Sequence, residues 1–375
     1  MKKIGILTHH YIHNYGAFLQ GYALQEAVKS LYPNDEVYMI DFVNKKHAIK
    51  NTLGWFRYNP NKDSIKSYIQ KIKLPKIFKK TQKEYYNLTK RIRNTEELNN
   101  LKLDAIIVGS DEVWHYEDIA KHPMKFGYGV KVPKLIAYAP STGSSNVRDG
   151  IPEYVKEGMK NFTGLSARDD NAEELIKNVL GKGCTRVLDP TLLYEFPEYS
   201  SKFVDYVKSQ KYILMYYCDN LPDSIKNEII EYANKNEYKI FGAGEYKKWF
   251  TETFVDINPF EWVEMFRNAQ IVFTGTFHGA VFSIKSRKNF YCYLTNPSRI
   301  KKVNSLLKQF EINERIITRD NYHRLFDKIK NNINYDNVYK LINLEKENSL
   351  EYLKKNIGKW FLYKYVKLVK IWIKK

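Results

Sequence analysis

The chain has few residues that could cross-link it. Its 375 residues include only three cysteines, which are far apart in sequence and form no CxxC pair: Cys184, Cys218 and Cys292. Because Cys218 and Cys292 lie in apolar runs, we predict buried free thiols in a reducing compartment and no disulfide framework. No metal site is predicted, since His9, His10 and His13 have no second ligand group at a suitable spacing.

Long apolar segments are also missing. No run of about 18 apolar residues occurs, so the sequence predicts no membrane-spanning helix. The apolar run at residues 1–8 is too short for a signal peptide and has no cleavage site. We therefore expect a cytoplasmic protein.

Acidic residues are outnumbered by basic ones, with 42 Asp and Glu against 61 Lys and Arg, and the net charge is +19. This excess favours an anionic partner, either nucleic acid, an acidic membrane surface or a phosphorylated substrate. Most of it lies in residues 66–93 and 352–375. Since these segments lie outside the predicted strands and no nucleic-acid-binding motif is present, we expect no nucleic-acid partner.

A dinucleotide fingerprint is absent, because the turn after the first predicted strand has no G-x-G-x-x-G. That strand, at residues 3–8, precedes a predicted helix at 18–31 and a second strand at 36–42. This βαβ order indicates a parallel sheet. Residues 45–100 are basic and interrupted by Pro60 and Pro75, which indicates an insertion on the surface.

The second half repeats the alternation of strand and helix. Strands are predicted at 212–218, 239–242, 271–274 and 290–294, and helices at 222–236, 259–269, 278–285 and 299–310. The chain is long enough for two domains of ~150–200 residues each. We predict an α/β fold with two doubly wound Rossmann-like domains facing a cleft. Their predicted bounds are 1–195 and 196–318, followed by a basic helical extension at 319–375.

The stretch 274–283 is the strongest candidate for the chemistry. A predicted buried strand ends in small residues and turns directly into a helix, which exposes N–H groups and the positive end of the helix dipole. A phosphate or carboxylate could bind there, and His278 could exchange a proton with it. Thr276 and Gly279 are candidate anion donors, although a plain helix cap explains all three residues as well.

Three predicted strands of the first half end in polar or small turns that carry Asp111, Ser141 and Arg168. Ligands of open α/β sheets bind at these carboxyl ends. Arg168 is predicted either to bind an anion or to pair with Asp169 or Asp170. Asp111 is either a base or sugar ligand or a turn cap, and Ser141 either donates to an anion or forms a turn.

Six short motifs together resemble the polysaccharide pyruvyl transferase family. They lie at 4–7 with 14–16 and 19–24 (IGIL, NYG, LQGYAL), 108–111 with 113–114 (VGSD, VW), 137–141 (AYAPS), 165–168 (LSAR), 188–192 (LDPTL) and 276–279 (TFHG). They follow the family order over residues 4 to about 310. The resemblance implies a GT-B-like fold, and it implies transfer of a pyruvyl unit from phosphoenolpyruvate to two sugar hydroxyls as a cyclic ketal.

The resemblance also implies roles for the candidates. His278 becomes the candidate proton donor, Arg168 the candidate anion ligand and Asp111 a candidate base or sugar ligand. Asn14 and Gly16 either shape a loop beneath the acceptor or only form a tight turn. The first domain would bind the acceptor and the second the donor, with no cofactor beyond phosphoenolpyruvate as a substrate. Thr276 stands where some members have an arginine. A GT-B-type glycosyltransferase that uses a nucleotide sugar is the alternative.

Residues 359–375 interleave lysines with aromatic and aliphatic residues. On a helix, most of the lysines gather on one side and most of the apolar residues on the other. The segment is predicted either to lie on an anionic membrane, near lipid-linked acceptors on its inner face, or to dock on the protein itself.

Overall fold

The first half of the chain is built on a four-stranded parallel sheet. The computed structural model describes residues 1–318 and 332–358. The strand order is β2-β1-β3-β4, with β1 at Lys3–Leu7, β2 at Glu36–Met39, β3 at Ala105–Asp111 and β4 at Lys134–Pro140. Ile106, Ile107 and Val108 of β3 are all buried, since helices cover both faces of the sheet.

The second half contains a six-stranded sheet in which all pairs are parallel. The order is β12-β11-β10-β7-β8-β9, with β7 at Tyr212–Tyr216, β8 at Lys239–Ala243, β9 at Glu252–Phe254, β10 at Ile271–Thr274, β11 at Asn289–Tyr293 and β12 at Ile316–Ile317. A separate pair consists of β5 at Ser166–Ala167 and β6 at Thr185–Arg186. The predicted α/β fold with two Rossmann-like sheets is confirmed. The edge strands β9 and β12 escaped prediction because two or three residues carry no usable periodicity.

Helices connect the strands. They are α1 at Tyr15–Leu31, α2 at Lys45–Phe56, α3 at Ile65–Lys71, α4 at Leu74–Tyr85, α5 at Thr95–Asn99, α6 at Glu153–Met159, α7 at Asp170–Leu180, α8 at Lys202–Lys208, α9 at Asp223–Lys235, α10 at Pro259–Asn268, α11 at Phe277–Lys285, α12 at Pro297–Gln309 and α13 at Tyr335–Gly358. Helix α1 begins three residues earlier than predicted, because Asn14 caps it by accepting from the Ala17 N–H at 3.0 Å.

One hydrophobic core joins the two halves through α1 and α10. Tyr15 stacks on Trp262 with ring centroids 5.5 Å apart, and its hydroxyl donates to the Val255 carbonyl at 3.0 Å. The carboxyl ends of both sheets therefore meet at a fixed junction, where α1 and α11 begin.

The basic insertion at 45–100 is not confined to the surface. It forms α2 to α5, and Leu74 and Phe78 of α4 are fully buried in the shared core. Leu74 and Phe78 are four residues apart, which is the spacing of one helix face. The many lysines around them hid this signal of a buried helix.

Helix α13 crosses from the second half to the first. Near its start, the Tyr339 hydroxyl donates to the Lys285 carbonyl at 2.8 Å. Near its end, the Tyr352 hydroxyl donates to the Ala137 carbonyl of β4 at 2.8 Å. The predictions for 319–331 and 359–375 lie outside the described residues. No described helix is long and apolar enough to span a bilayer.

Candidate active site

The turn from β10 into α11 uses its own threonines to build the helix start. The Thr276 hydroxyl accepts from the Gly279 N–H at 3.0 Å, and the Thr274 hydroxyl accepts from the Thr276 N–H at 3.2 Å. The first-turn N–H groups of Phe277 and His278 have no intrahelical acceptor. They remain at the positive end of the helix dipole for a ligand.

His278 is held by packing against α1. A Cβ on Gly16 would lie 2.2 Å from the His278 Nδ1, so only glycine allows the imidazole to approach this closely. The His278 Nε2 makes no hydrogen bond and lies 3.7 Å from an Asp189 carboxylate oxygen. The ring is thus fixed against α1, with its buried Nε2 at ion-pair distance from Asp189.

Arg168 pairs with two aspartates. Its NH2 donates to Asp111 Oδ1 at 2.9 Å, and its NH1 donates to Asp189 Oδ2. Burial lowers the pKa of the Arg168 guanidinium, but Asp189 and Asp111 raise that pKa by more, and the group stays charged. The predicted alternative partners are wrong, since Asp169 caps α7 and Asp170 pairs with Arg186.

Asp189 is a buried carboxylate at the centre of this arrangement. Burial raises the pKa of Asp189, but the Arg168 charge and then His278 lower this pKa by more than burial raises it. The carboxyl group is therefore ionised. Thr191 donates to Asp189 Oδ1 from both its N–H, at 3.0 Å, and its hydroxyl, at 2.6 Å. Asp189 therefore links the first half of the chain to His278.

A cavity of about 420 Å³ lies between the two halves at this point. Of the predicted site residues, Asn14, Asp111, Arg168, Thr276 and His278 line it. The others do not. Gly16 lies behind the His278 ring, the buried Ser141 hydroxyl accepts from the Gly143 N–H at 3.4 Å, and the missing side chain of Gly279 leaves space for Thr274.

The comparisons with known proteins agree with this architecture. The family model "Polysaccharide pyruvyl transferase" matches residues 14–297. The chain belongs to this family. A search of curated proteins finds no match.

Solved structures resemble the chain in fold. A UDP-N-acetylglucosamine 2-epimerase has a TM-score of 0.56 at 10% identity, with 97% of this chain and 96% of that chain covered. A putative UDP-N-acetylglucosamine 2-epimerase from Listeria monocytogenes has a TM-score of 0.50 at 11% identity, with 91% and 90% covered. At such identities the likeness shows the fold alone, a GT-B-like pair of Rossmann-like domains.

Two cations at the cavity of this pyruvyl transferase family member, Arg299 and Lys302, were not predicted from the sequence. Lys302 of α12 donates to Glu112, and Arg299 donates to Asp219 at 3.2 Å. Both cations line the cavity on its second-half side. The sequence did contain an indication of them: the helix that carries them begins soon after a strand of the second sheet, and the two cations are three residues apart on one helix face.

The early histidine loop is buried at His9 and His10. His9 lines the cavity, and its Nε2 lies 2.6 Å from the Nζ of buried Lys125. Burial lowers the pKa of Lys125 to about 7. Burial and then the Lys125 charge hold the pKa of His9 well below its usual value. Lys125 was not predicted, because nothing local in the sequence indicates that it lies beside His9.

No cluster of three potential metal ligands is found in residues 1–318 and 332–358. The three cysteines carry no disulfide, and Cys218 and Cys292 are buried as predicted.

Proposed function

We propose that this member of the polysaccharide pyruvyl transferase family transfers a pyruvyl group from phosphoenolpyruvate to two hydroxyls of one sugar, forming a cyclic ketal. The observation that carries this proposal is the fixed imidazole of His278, which lines the cavity at the start of α11 and faces the Asp189 carboxylate. The sugar belongs to a cell-surface polysaccharide or to its lipid-linked precursor.

The donor brings two anionic groups, a phosphate and a carboxylate. The free N–H groups at the start of α11 suit one of them, as helix starts commonly bind phosphate. Arg299 and Lys302 suit the other, since their present carboxylate partners are partly exposed and can be exchanged. The second half of the chain would thus bind the donor, and the first half the acceptor.

Ketal formation requires a proton on the methylene carbon of phosphoenolpyruvate, which makes the neighbouring carbon electrophilic. One sugar hydroxyl adds to that carbon, the second closes the ring, and phosphate leaves. Each hydroxyl loses a proton: one replaces the proton supplied to the methylene carbon, and the other leaves with the phosphate. The products are therefore one ketal and one inorganic phosphate.

His278 supplies the proton in this scheme. Asp189 stabilises the charged imidazole, and Arg168 keeps Asp189 ionised and in place. Arg168 then serves to position Asp189 more than to bind phosphoenolpyruvate, because its NH1 and NH2 are already hydrogen-bonded to carboxylates.

Asp111 and His9 are the candidate bases that line the acceptor side of the cavity. Asp111 is paired with Arg168, which weakens a carboxylate as a base. The imidazole of His9 is uncharged near neutral pH, but its lowered pKa makes it a weak base, and its Nε2 already lies 2.6 Å from the Lys125 Nζ.

The protein would act at the inner face of the cell membrane, where lipid-linked acceptors are found. Residues 359–375, which lie outside the described residues, would contribute to attachment through their lysines. This attachment would be peripheral.

Purified protein incubated with phosphoenolpyruvate and a panel of lipid-linked sugars should release phosphate. His278→Ala should lower that rate by ~10²- to 10⁴-fold, the usual contribution of a general acid. His13→Ala is the matched control, because His13 does not line the cavity. Near-normal phosphate release by the His278 variant would remove this residue from the reaction.

Ligand-induced thermal stabilisation separates the two donor classes. Stabilisation by phosphoenolpyruvate and none by nucleotide sugars is expected. The reverse result would favour a nucleotide-sugar glycosyltransferase.

A further inference from the structure

Helices α2 and α3 of the insertion, with the segment between them, expose several large apolar side chains to solvent. Six of the ten large hydrophobic side chains exposed in the described part of the chain lie within 21 residues: Ile49, Leu53, Phe56, Tyr58, Ile65 and Ile69. We call these six the α2–α3 patch. Helix α2 has no buried residue and α3 buries Ser67 alone, so the six patch side chains lie outside the core. An exposed apolar cluster of this kind marks an interaction surface.

The patch follows helical spacing. Ile49, Leu53 and Phe56 fall within one narrow arc of α2, because they are four and three residues apart. Ile65 and Ile69 form the corresponding pair on α3. The patch therefore presents continuous apolar stripes along both helices.

Hydrogen bonds hold the two helices together. The Tyr68 hydroxyl donates to the Phe56 carbonyl at 2.9 Å, and the Lys71 ammonium donates to the Arg57 carbonyl at 3.0 Å. The Tyr58 and Tyr68 rings also meet edge to face, with centroids 5.3 Å apart. The apolar stripes are thus displayed on a pre-organised hairpin.

The exposed charges within residues 45–66 have one sign. Six exposed cations have no ion-pair partner among the described residues: Lys45, Lys46, Lys50, Arg57, Lys62 and Lys66. Asp63 is the one acidic residue between positions 45 and 66, and it is buried and paired with Lys71. Apolar stripes bordered by unpaired cations match the interface of an anionic bilayer, where the apolar atoms enter the acyl boundary and the cations meet headgroups.

Helix α2, which carries half of the patch, also borders the active-site cavity through His47. His47 of α2 lines the 420 Å³ cavity, and it also lines a separate depression of about 400 Å³. Asp118 is shared by both in the same way, while Lys50, Trp55 and Ile119 continue the depression under α2. The two depressions therefore adjoin along the face of α2 that lies opposite Ile49, Leu53 and Phe56.

We propose that the α2–α3 patch docks this protein onto an anionic phospholipid surface. A lipid-linked sugar would then reach the cavity from the bilayer past His47, a consequence that rests on the proposed function. The docking itself does not, since it depends on the patch and its cations alone. It is also separate from any attachment through residues 359–375.

Flotation of the full chain with vesicles tests the docking. Wild-type protein should float with an equal mixture of phosphatidylcholine and phosphatidylglycerol, and less with phosphatidylcholine alone. The variant Leu53→Ser/Phe56→Ser/Ile65→Ser should lower the partition coefficient by about tenfold or more. Lys45→Gln/Lys46→Gln/Lys50→Gln should lower it by about fivefold for each lysine.

Matched controls use equally exposed residues elsewhere. Tyr128→Ser/Leu344→Ser removes exposed apolar side chains away from the patch. Lys182→Gln/Lys211→Gln/Lys235→Gln removes the same charge from other surfaces. Both should float like wild type, and all variants should melt like it because the substituted side chains are exposed.

Three results would overturn the docking. In one, wild-type protein fails to float with anionic vesicles. In another, the patch variants float normally while Lys364→Gln/Lys367→Gln/Lys370→Gln in the full chain abolishes flotation. In the third, the protein is a dimer that the serine variant dissociates, which would assign the patch to a second copy. Since no sugar or donor is present, none of these results bears on pyruvyl transfer.

Discussion

Asp189 determines how Arg168 and His278 work together. Its side chain is fully buried, and it contacts Arg168 on one side and approaches His278 on the other. A buried carboxylate of this kind needs its cation, because burial alone would favour the neutral acid. The pair is therefore part of the fold as well as of the site.

Replacement of Arg168 by methionine should destabilise the protein by about 3–5 kcal/mol, because Asp189 would remain buried without a partner. Chemical denaturation measures this loss. Adding Asp189→Asn to the same chain should recover part of it. A variant that is as stable as wild type, with only a raised KM for phosphoenolpyruvate, would instead make Arg168 a donor ligand.

Lys125 should make stability depend on alkaline pH. Its folded pKa of about 7 lies below the unfolded value of 10.5. Between these values the unfolded chain binds one more proton than the folded chain, so stability rises with pH. The unfolding free energy of wild type, relative to Lys125→Met, should increase by up to about 1.4 kcal/mol per pH unit in this window. Denaturation series from pH 7 to 10 measure it, and a constant difference would mean that Lys125 stays charged when buried.

At the scale of elements, α13 belongs to the folded body. Tyr352, Leu353 and Ile357 are buried, and the Ser349 hydroxyl accepts from the Leu188 N–H at 2.9 Å. The last turns of this helix therefore cover the first sheet and the segment that carries Asp189.

A chain that ends at residue 350 should be less stable than one that ends at Gly358. It loses three buried side chains, each worth about 1.5–3 kcal/mol. Thermal melting of both chains and of the full protein measures the difference. Equal melting temperatures would show that the end of α13 contributes little, whereas the expected result makes 1–358 the proper chain for testing attachment through 359–375.

Elements also explain which site residues the sequence could predict. Asp111 ends β3, while Arg168 and His278 come after β5 and β10, and ligands of parallel α/β sheets bind at such carboxyl ends. Ser141 and Gly279 follow strands too, but their hydrogen bonds and packing turn them inward. Sequence position predicted the edge at which a residue lies, and not the direction of its side chain.

At the scale of the whole molecule, the unpaired positive charges and the active-site charges lie in different places. The cations that outnumber acids in the insertion are exposed around α2 and α3, whereas those at the cavity are paired with carboxylates. The net charge of +19 is therefore not a property of the active site. The excess positive charge lies on the surfaces that border the active site.

The sequence by itself determined the α/β class, the parallel sheets, most helices and the strand-to-helix turn that carries His278. These features depend on local periodicity, capping residues and turn residues, which act over a few positions. Only the tertiary structure decided the pairing of Arg168 with Asp189, the contact of Lys125 with His9 and the fit of His278 onto Gly16. Each joins residues at least 21 positions apart, and their approach depends on how the two sheets pack.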